Sequence, residues 1–217
     1  MMMAILEDDT LVHPPLECVF TVQEETGLAG AIQLDGEKLQ ARTMINLDSE
    51  EEGIATVSCA GGMRVDFSRA CFFEPCTGFG LWVHLRGLLG GHSGSDIHLE
   101  HGNANKLLGR ILYSLYENVH FKLCEINGGN KDNAIPREAD ALISLPNEAA
   151  VDAAIALIQK EAEAIAAELA EPGFCIDVEP APTSRAMSEA TTQALLRLLM
   201  LAPNGVQNRN VEGGGFV

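Results

Sequence analysis

The chain has 217 residues, 47% of them apolar, which is enough for one large or two small cored domains. Its formal charge is −17, with 31 acids against 14 lysines and arginines; this argues against nucleic acid or an anionic membrane as a partner and suits a soluble protein. The six cysteines form no C-x-x-C pair and mostly sit in apolar runs, so they read as buried free thiols in a reducing cytoplasm rather than as disulfides.

Residues 1–6 are apolar but are followed by Glu7, Asp8 and Asp9 with no basic region ahead. They read as the tail of a helix whose beginning is absent, not as a signal peptide, and no run in the chain is long enough to span a bilayer. His13-Pro14-Pro15 is a stiff connector. Residues 16–22 have strand character (Val19, Phe20, Val22) and stop at two adjacent acids, Glu24 and Glu25, before Thr26-Gly27 turns the chain. A short apolar helix is expected over 28–34. A second strand, 44–47, ends in another acid, Asp48; an acidic loop follows, then a strand over 54–58.

Ala60-Gly61-Gly62 marks a change of composition, and a domain boundary is expected near it. Beyond it, 78–87 reads as a strand with Leu81, Val83 and Leu85 on one face. Residues 103–116 read as a helix with Leu107, Leu108, Ile111, Leu112 and Leu115 on one side. Strands follow over 119–126 and 139–145. Asn147 can cap a long helix striped by Val151, Ile155, Ile158, Ile165 and Leu169, which Glu171-Pro172-Gly173 ends. A strand over 174–178, a linker over 181–184 and a helix over 188–201 complete the order; Gly213 to Val217 looks like the entry to a further strand. Strand, helix, strand, strand, helix, strand is the order of a ferredoxin-like sandwich, with both helices expected on one face of the sheet.

If strands 16–22 and 44–47 are neighbours, Glu24, Glu25 and Asp48 converge at one edge. They then form either a solvated acidic loop or a metal site, because carboxylates so close must take up protons or share a cation. A second centre is Gly90-Gly91-His92-Ser93-Gly94-Ser95-Asp96. It nearly fits the serine nucleophile pattern G-x-S-x-G, but its last position is Ser and no strand runs directly into it. His98 and His101 could share a helix face at metal-binding spacing or be exposed decoration, whereas His13, His84 and His120 have no grouped partners. The run from Asn127 to Pro136 could cradle a phosphate, yet it lacks the lysine and following helix of a P-loop, so a hairpin turn is the simpler reading.

Four motifs in order, EETG after a strand, INLDSEE, GGHSGSDIH and GGNKDNAIPRE, make the whole chain resemble the aminoacyl-histidine (Xaa-His) dipeptidases, a branch of the two-zinc aminoacylase and carboxypeptidase-type metallopeptidases. The resemblance implies a mixed α/β and α+β architecture. Residues 1–61 would be an incomplete zinc-peptidase catalytic domain, 62–185 a ferredoxin-like lid and dimerisation domain, and 186–217 the start of a further part of the lid. It implies Glu24 as general base, Glu25 as ligand of one zinc and Asp48 as ligand of the other, with two zinc ions per complete site. His92 would reach substrate from the lid and stabilise the oxyanion, and Asn133 would bind substrate. The family's substrate-carboxylate arginine has no counterpart in the strand over 141–145; either Arg137 is a weak substitute or that arginine is expected beyond residue 217. The His-x-Asp pair, bridging Asp and final His of the family's site also lack counterparts, so the chain is expected to be an internal piece.

The implied function is hydrolysis of aminoacyl-histidine or similar dipeptides by a cytoplasmic homodimer, through a zinc-bridged water deprotonated by Glu24. The alternative is a non-catalytic lid module that serves only to dimerise.

Overall fold

The computed structural model describes residues 1–24, 27–47, 52–56 and 61–208. The chain divides into two compact units, Met1–Gly62 and Met63–Val217.

In the first unit, α1 (Met2–Glu7) and α2 (Ala29–Ile32) are short, and a single 3-10 turn spans Gly36–Lys38. Asp35 caps that turn by accepting a hydrogen bond from the Glu37 N–H at 3.1 Å. The Glu17 carboxylate accepts from the Gln40 N–H at 2.9 Å and from the Ala41 N–H, tying two extended segments together. The strands expected over 16–22 and 44–47 do not form, nor does any strand over 54–56; Val57 and Ser58 lie outside the described residues. The physical reason is missing partnership. An apolar run becomes a strand by laddering with a neighbour and burying one face. No described residue of this unit is buried, and Phe20, Val22, Met44 and Ile45 are 58%, 68%, 88% and 78% exposed.

The second unit carries the rest: β1 (Phe73–Pro75), β2 (Phe79–Arg86), β3 (Gly91–His92), α3 (Ala104–Asn118), β4 (Lys122–Gly128), β5 (Ala134–Ile135), β6 (Ala139–Leu145), α4 (Glu148–Glu168), β7 (Cys175–Ala181), β8 (Arg185–Met187) and α5 (Glu189–Leu201). The main sheet has the order β4-β6-β2-β7, antiparallel throughout, which is the ferredoxin-like arrangement. Alternation along β2 sends Leu81, Val83 and Leu85 into the core and Trp82, His84 and Arg86 to the other face. The core-facing residues meet Leu108, Ile111, Leu112 and Leu115 of α3 and Ala154, Ile158 and Ile165 of α4 in one cluster, so both helices cover the same face.

Helix starts follow their caps. The Asn103 side chain accepts from the Asn105 and Lys106 N–H groups, and that of Asn147 from Ala150 at 2.9 Å. The third strand of the sequence reading coincides with β6, whereas the preceding one begins at Lys122 rather than at 119. β7 runs on to Ala181, into the expected linker. Beyond it β8 pairs with β1, a strand pair with no signal in the sequence. The Ser188 hydroxyl caps α5, which lies against α3: Lys106 Nζ donates to the carbonyls of Leu199, Met200 and Ala202 at 2.6, 2.8 and 2.8 Å.

β4 contains a bulge. Leu123 pairs with Ile143 and Glu125 with Leu142, leaving Cys124 as the extra residue. Cys124 packs with Cys76 and Ala186 on the face away from the helices, and burial, with Cys76 alongside, pushes its thiol up to about 12. The reading of the cysteines as buried thiols is corrected elsewhere: Cys71 and Cys175 are exposed and Cys18 is half-buried, all as free thiols. Cys18 and Cys71 sit in segments that bury little, whereas Cys175 alternates along β7 with Phe174 and Ile176, which pack against the core, and so faces away from it. The expected strand entry at 213–217 lies outside the described residues.

Candidate functional site

The GGHSGSD motif forms a loop between β2 and α3. Its entrance needs glycine: Gly87 has φ +78°, and a Cβ there would fall 1.8 Å from the Gly173 carbonyl oxygen. Gly91 has φ +141°, and a Cβ on it would crowd Asp96 Oδ2 at 2.9 Å. That approach leaves Asp96 Oδ2 free to accept from the His92 N–H at 2.7 Å, while the Asp96 N–H donates back to the His92 carbonyl at 3.1 Å.

His92 is exposed, but its ring is not free to choose its proton position. The backbone N–H groups of Gly94 and Ser95 both donate to His92 Nδ1 at 3.1 Å. Nδ1 is therefore an acceptor, and in the neutral ring the proton sits on Nε2. The loop thus leaves Nε2–H as the donor for whatever approaches.

The same ladder brings Asn133 alongside. β3 pairs with β5, His92 opposite Ala134, and the Ser93 N–H donates to the Asn133 carbonyl at 2.9 Å. His92 and Asn133, set far apart in sequence, stand at adjoining positions, with the Asn133 side chain exposed. Next to them lies an open cleft of about 420 Å³, lined by Gly91, Asn127, Asn130, Ile135, Arg137 and Asp140 among others. Its acids are partnered on the sheet side: Arg86 Nη2 donates to Asp140 Oδ1 at 2.5 Å, and Arg86 Nε lies 3.9 Å from Glu138 Oε2. Burial works to raise Asp140, but hydrogen bonds from His84 and Arg86 and the charge of Arg86 outweigh it and hold the carboxyl below its ordinary value. Arg137 donates from Nε to the Leu88 carbonyl at 3.1 Å, so part of its guanidinium pins the loop.

Glu24 is exposed in the first unit, and Glu25 and Asp48 lie outside the described residues. His98 falls in a 3-10 turn, Ile97–Leu99, and His101 lies beyond it, bonded through Nδ1 to the Gly90 carbonyl; they share no helix face. His84, read as lacking a grouped partner, bonds Asp140 at 2.5 Å and stacks on Trp82 with ring centroids 5.6 Å apart. The motif reading gave Asp96 no role, though its place four residues after His92 was the available signal.

Residues 83–170 match the peptidase dimerisation domain. The chain is 40% identical over 221 residues to the cytosol non-specific dipeptidase of Escherichia coli (strain K12), covering 98% of this chain. The crystal structure of the aminoacylhistidine dipeptidase from Vibrio alginolyticus superposes with a TM-score of 0.73 at 31% identity over 99% of this chain. In sequence and fold, the chain resembles the aminoacyl-histidine dipeptidases over part of their length. It spans 45% of the length of each of those two dipeptidases. The match to the peptidase dimerisation domain covers the sandwich from β2 to α4, and the His92 loop leaves that sandwich at the end of its first strand.

Proposed function

We propose that this chain works as part of a longer, homodimeric and cytoplasmic dipeptidase that uses zinc to hydrolyse aminoacyl-histidine or similar unblocked dipeptides. The observation that carries the proposal is the His92 loop: two backbone N–H groups fix Nδ1 as an acceptor, so Nε2–H is presented beside Asn133 and an open cleft. A donor placed in this way suits an oxygen that gains negative charge during the reaction. No helix of the described residues is long and apolar enough to cross a membrane.

Among the described residues no group of three or more His, Cys, Asp or Glu side chains lies together as a metal site. Glu25 and Asp48, outside those residues, are carboxylates of a kind zinc accepts, and they would hold one ion each. Bound zinc supplies a water of lowered pKa and polarises the peptide carbonyl. Glu24 takes the proton of the attacking water, His92 Nε2–H donates to the carbonyl oxygen as its charge develops, and Asn133 binds substrate.

For the chain by itself the second reading, a dimerisation module without activity, is favoured. The second unit has a core of its own, whereas the first has no buried residue among those described. Glu25 and Asp48 also fall short of the roughly three protein ligands of a catalytic zinc.

The test is turnover of an aminoacyl-histidine substrate with added zinc. The isolated chain is expected to give background only, with or without Glu24→Ala. In the longer enzyme, His92→Ala is expected to lower turnover about 100- to 1000-fold while bound zinc stays unchanged. Zinc-dependent turnover by the isolated chain that Glu24→Ala abolishes would overturn the division of labour. Zinc lost in step with activity in His92→Ala would make His92 a ligand instead.

A further inference from the structure

Glu171 is a buried carboxylate, 7% exposed, in the turn between α4 and β7. A buried carboxylate is stable only when donors satisfy its oxygens. Those of Glu171 are met by backbone N–H groups far away in sequence: Leu89 donates to Oε2 at 2.8 Å and Gly102 to Oε1 at 2.5 Å. Leu89 and Gly102 are the two feet of the loop that carries His92 at its tip, so one side chain joins both feet and closes the loop. The turn that bears Glu171 follows a helix anchored in the core by Ile158 and Ile165.

We infer that Glu171 is a positioning residue for His92. Its carboxylate fixes the separation of the loop's feet, and the tip then folds on itself through Asp96 and the His92 ring. The feet are pinned on the other side by Arg137 at the Leu88 carbonyl and by His101 at the Gly90 carbonyl. With the feet held, Gly94 and Ser95 stay aimed at Nδ1 and the ring proton stays on Nε2. A carboxylate is needed because both oxygens must accept. The amide of Gln offers one acceptor and turns a donor toward the other N–H.

The inference rests on reading His92 as the substrate-facing donor, but its test contains no substrate, so either can fail without the other. Glu171→Gln in the 217-residue chain is followed by hydrogen exchange and by ¹³C and ¹⁵N spectra of the His92 ring. The slow amides of the sheet should persist, the Gly94 and Ser95 amides should exchange about 10-fold faster, as expected for loss of a charge-assisted hydrogen bond, and the ring should populate both neutral tautomers. Glu168→Gln, which breaks the exposed pair with Arg110 at the end of the same helix, should change none of these. An intact sheet with unchanged loop exchange and a single Nε2–H ring in Glu171→Gln overturns the inference. If that variant does not fold, exchange in the unchanged chain decides. Opening of Leu89, Gly102, Gly94 and Ser95 with one common dependence on denaturant supports the clamp; tip and feet opening independently refutes it.

Discussion

The two units of this chain contain the same kinds of apolar run and treat them oppositely. In the second unit, Leu81, Val83 and Leu85 alternate along β2, are almost wholly buried, and find strands on both sides and helices above. In the first, Phe20, Val22, Met44 and Ile45 are spaced much as strand residues are, yet lie exposed without a ladder. Hydrophobic pattern states a demand for burial; the fold appears only where another segment meets it.

The largest effect that would break this contrast is in the core. Leu112→Ala removes a side chain with no exposed surface between α3 and the sheet and is expected to cost about 2–5 kcal/mol. Phe20→Ala, in the first unit, is expected to stay within about 0.5 kcal/mol. Urea unfolding monitored by circular dichroism compares them. Equal losses would mean that Phe20 buries more than its 58% exposure implies.

A middle-sized effect tests whether local signals carry the second unit. Asn147→Ala deletes the side-chain oxygen that accepts from Ala150 and should lower stability by about 1 kcal/mol in the same assay. No loss would leave tertiary packing as the sole determinant of where α4 begins.

The smallest effect is electrostatic and lies on the sheet face away from the helices. Because Asp140 titrates lower folded than unfolded, its ionised form favours folding. That contribution is complete above the unfolded value of about 4 and fades as pH falls toward the folded value. Asp140→Asn should therefore cost about 1 kcal/mol or less at neutral pH and make the acid side of the stability profile flatter. A mutant profile parallel to that of the parent down to pH 3 would show that His84 and Arg86 do not favour the ionised form.

The second unit was legible because its signals are local. Asn103 and Asn147 each precede a helical stripe, β6 is bounded by an apolar run of sheet length, and the element order alone selects the sandwich. What escaped depends on distant partners. β1 and β8 are three residues each, one of them holding Pro75, and they stabilise each other across more than half of the unit. The strands expected over 16–22 and 44–47 failed because periodicity does not say whether a neighbour is present. At the candidate site the sequence singled out His92 and Asn133, and the β3–β5 ladder sets them side by side. Glu171 read only as the end of a helix, since nothing local indicates that its carboxylate reaches back to Leu89 and Gly102.

The bulge in β4 has a consequence for how chain length can vary. On either side of Cys124 the pairing is already that of a regular ladder with one residue left over: Leu123 meets Ile143, and Glu125 meets Leu142. Deleting that one position changes no partner and turns no side chain from one face to the other, whereas a deletion at Ile126 would move Asn127 and Gly128 out of step with Asp140 and Ala139. Position 124 is therefore an expansion joint, where the edge strand can lose a single residue while the ladder beyond it keeps its alignment.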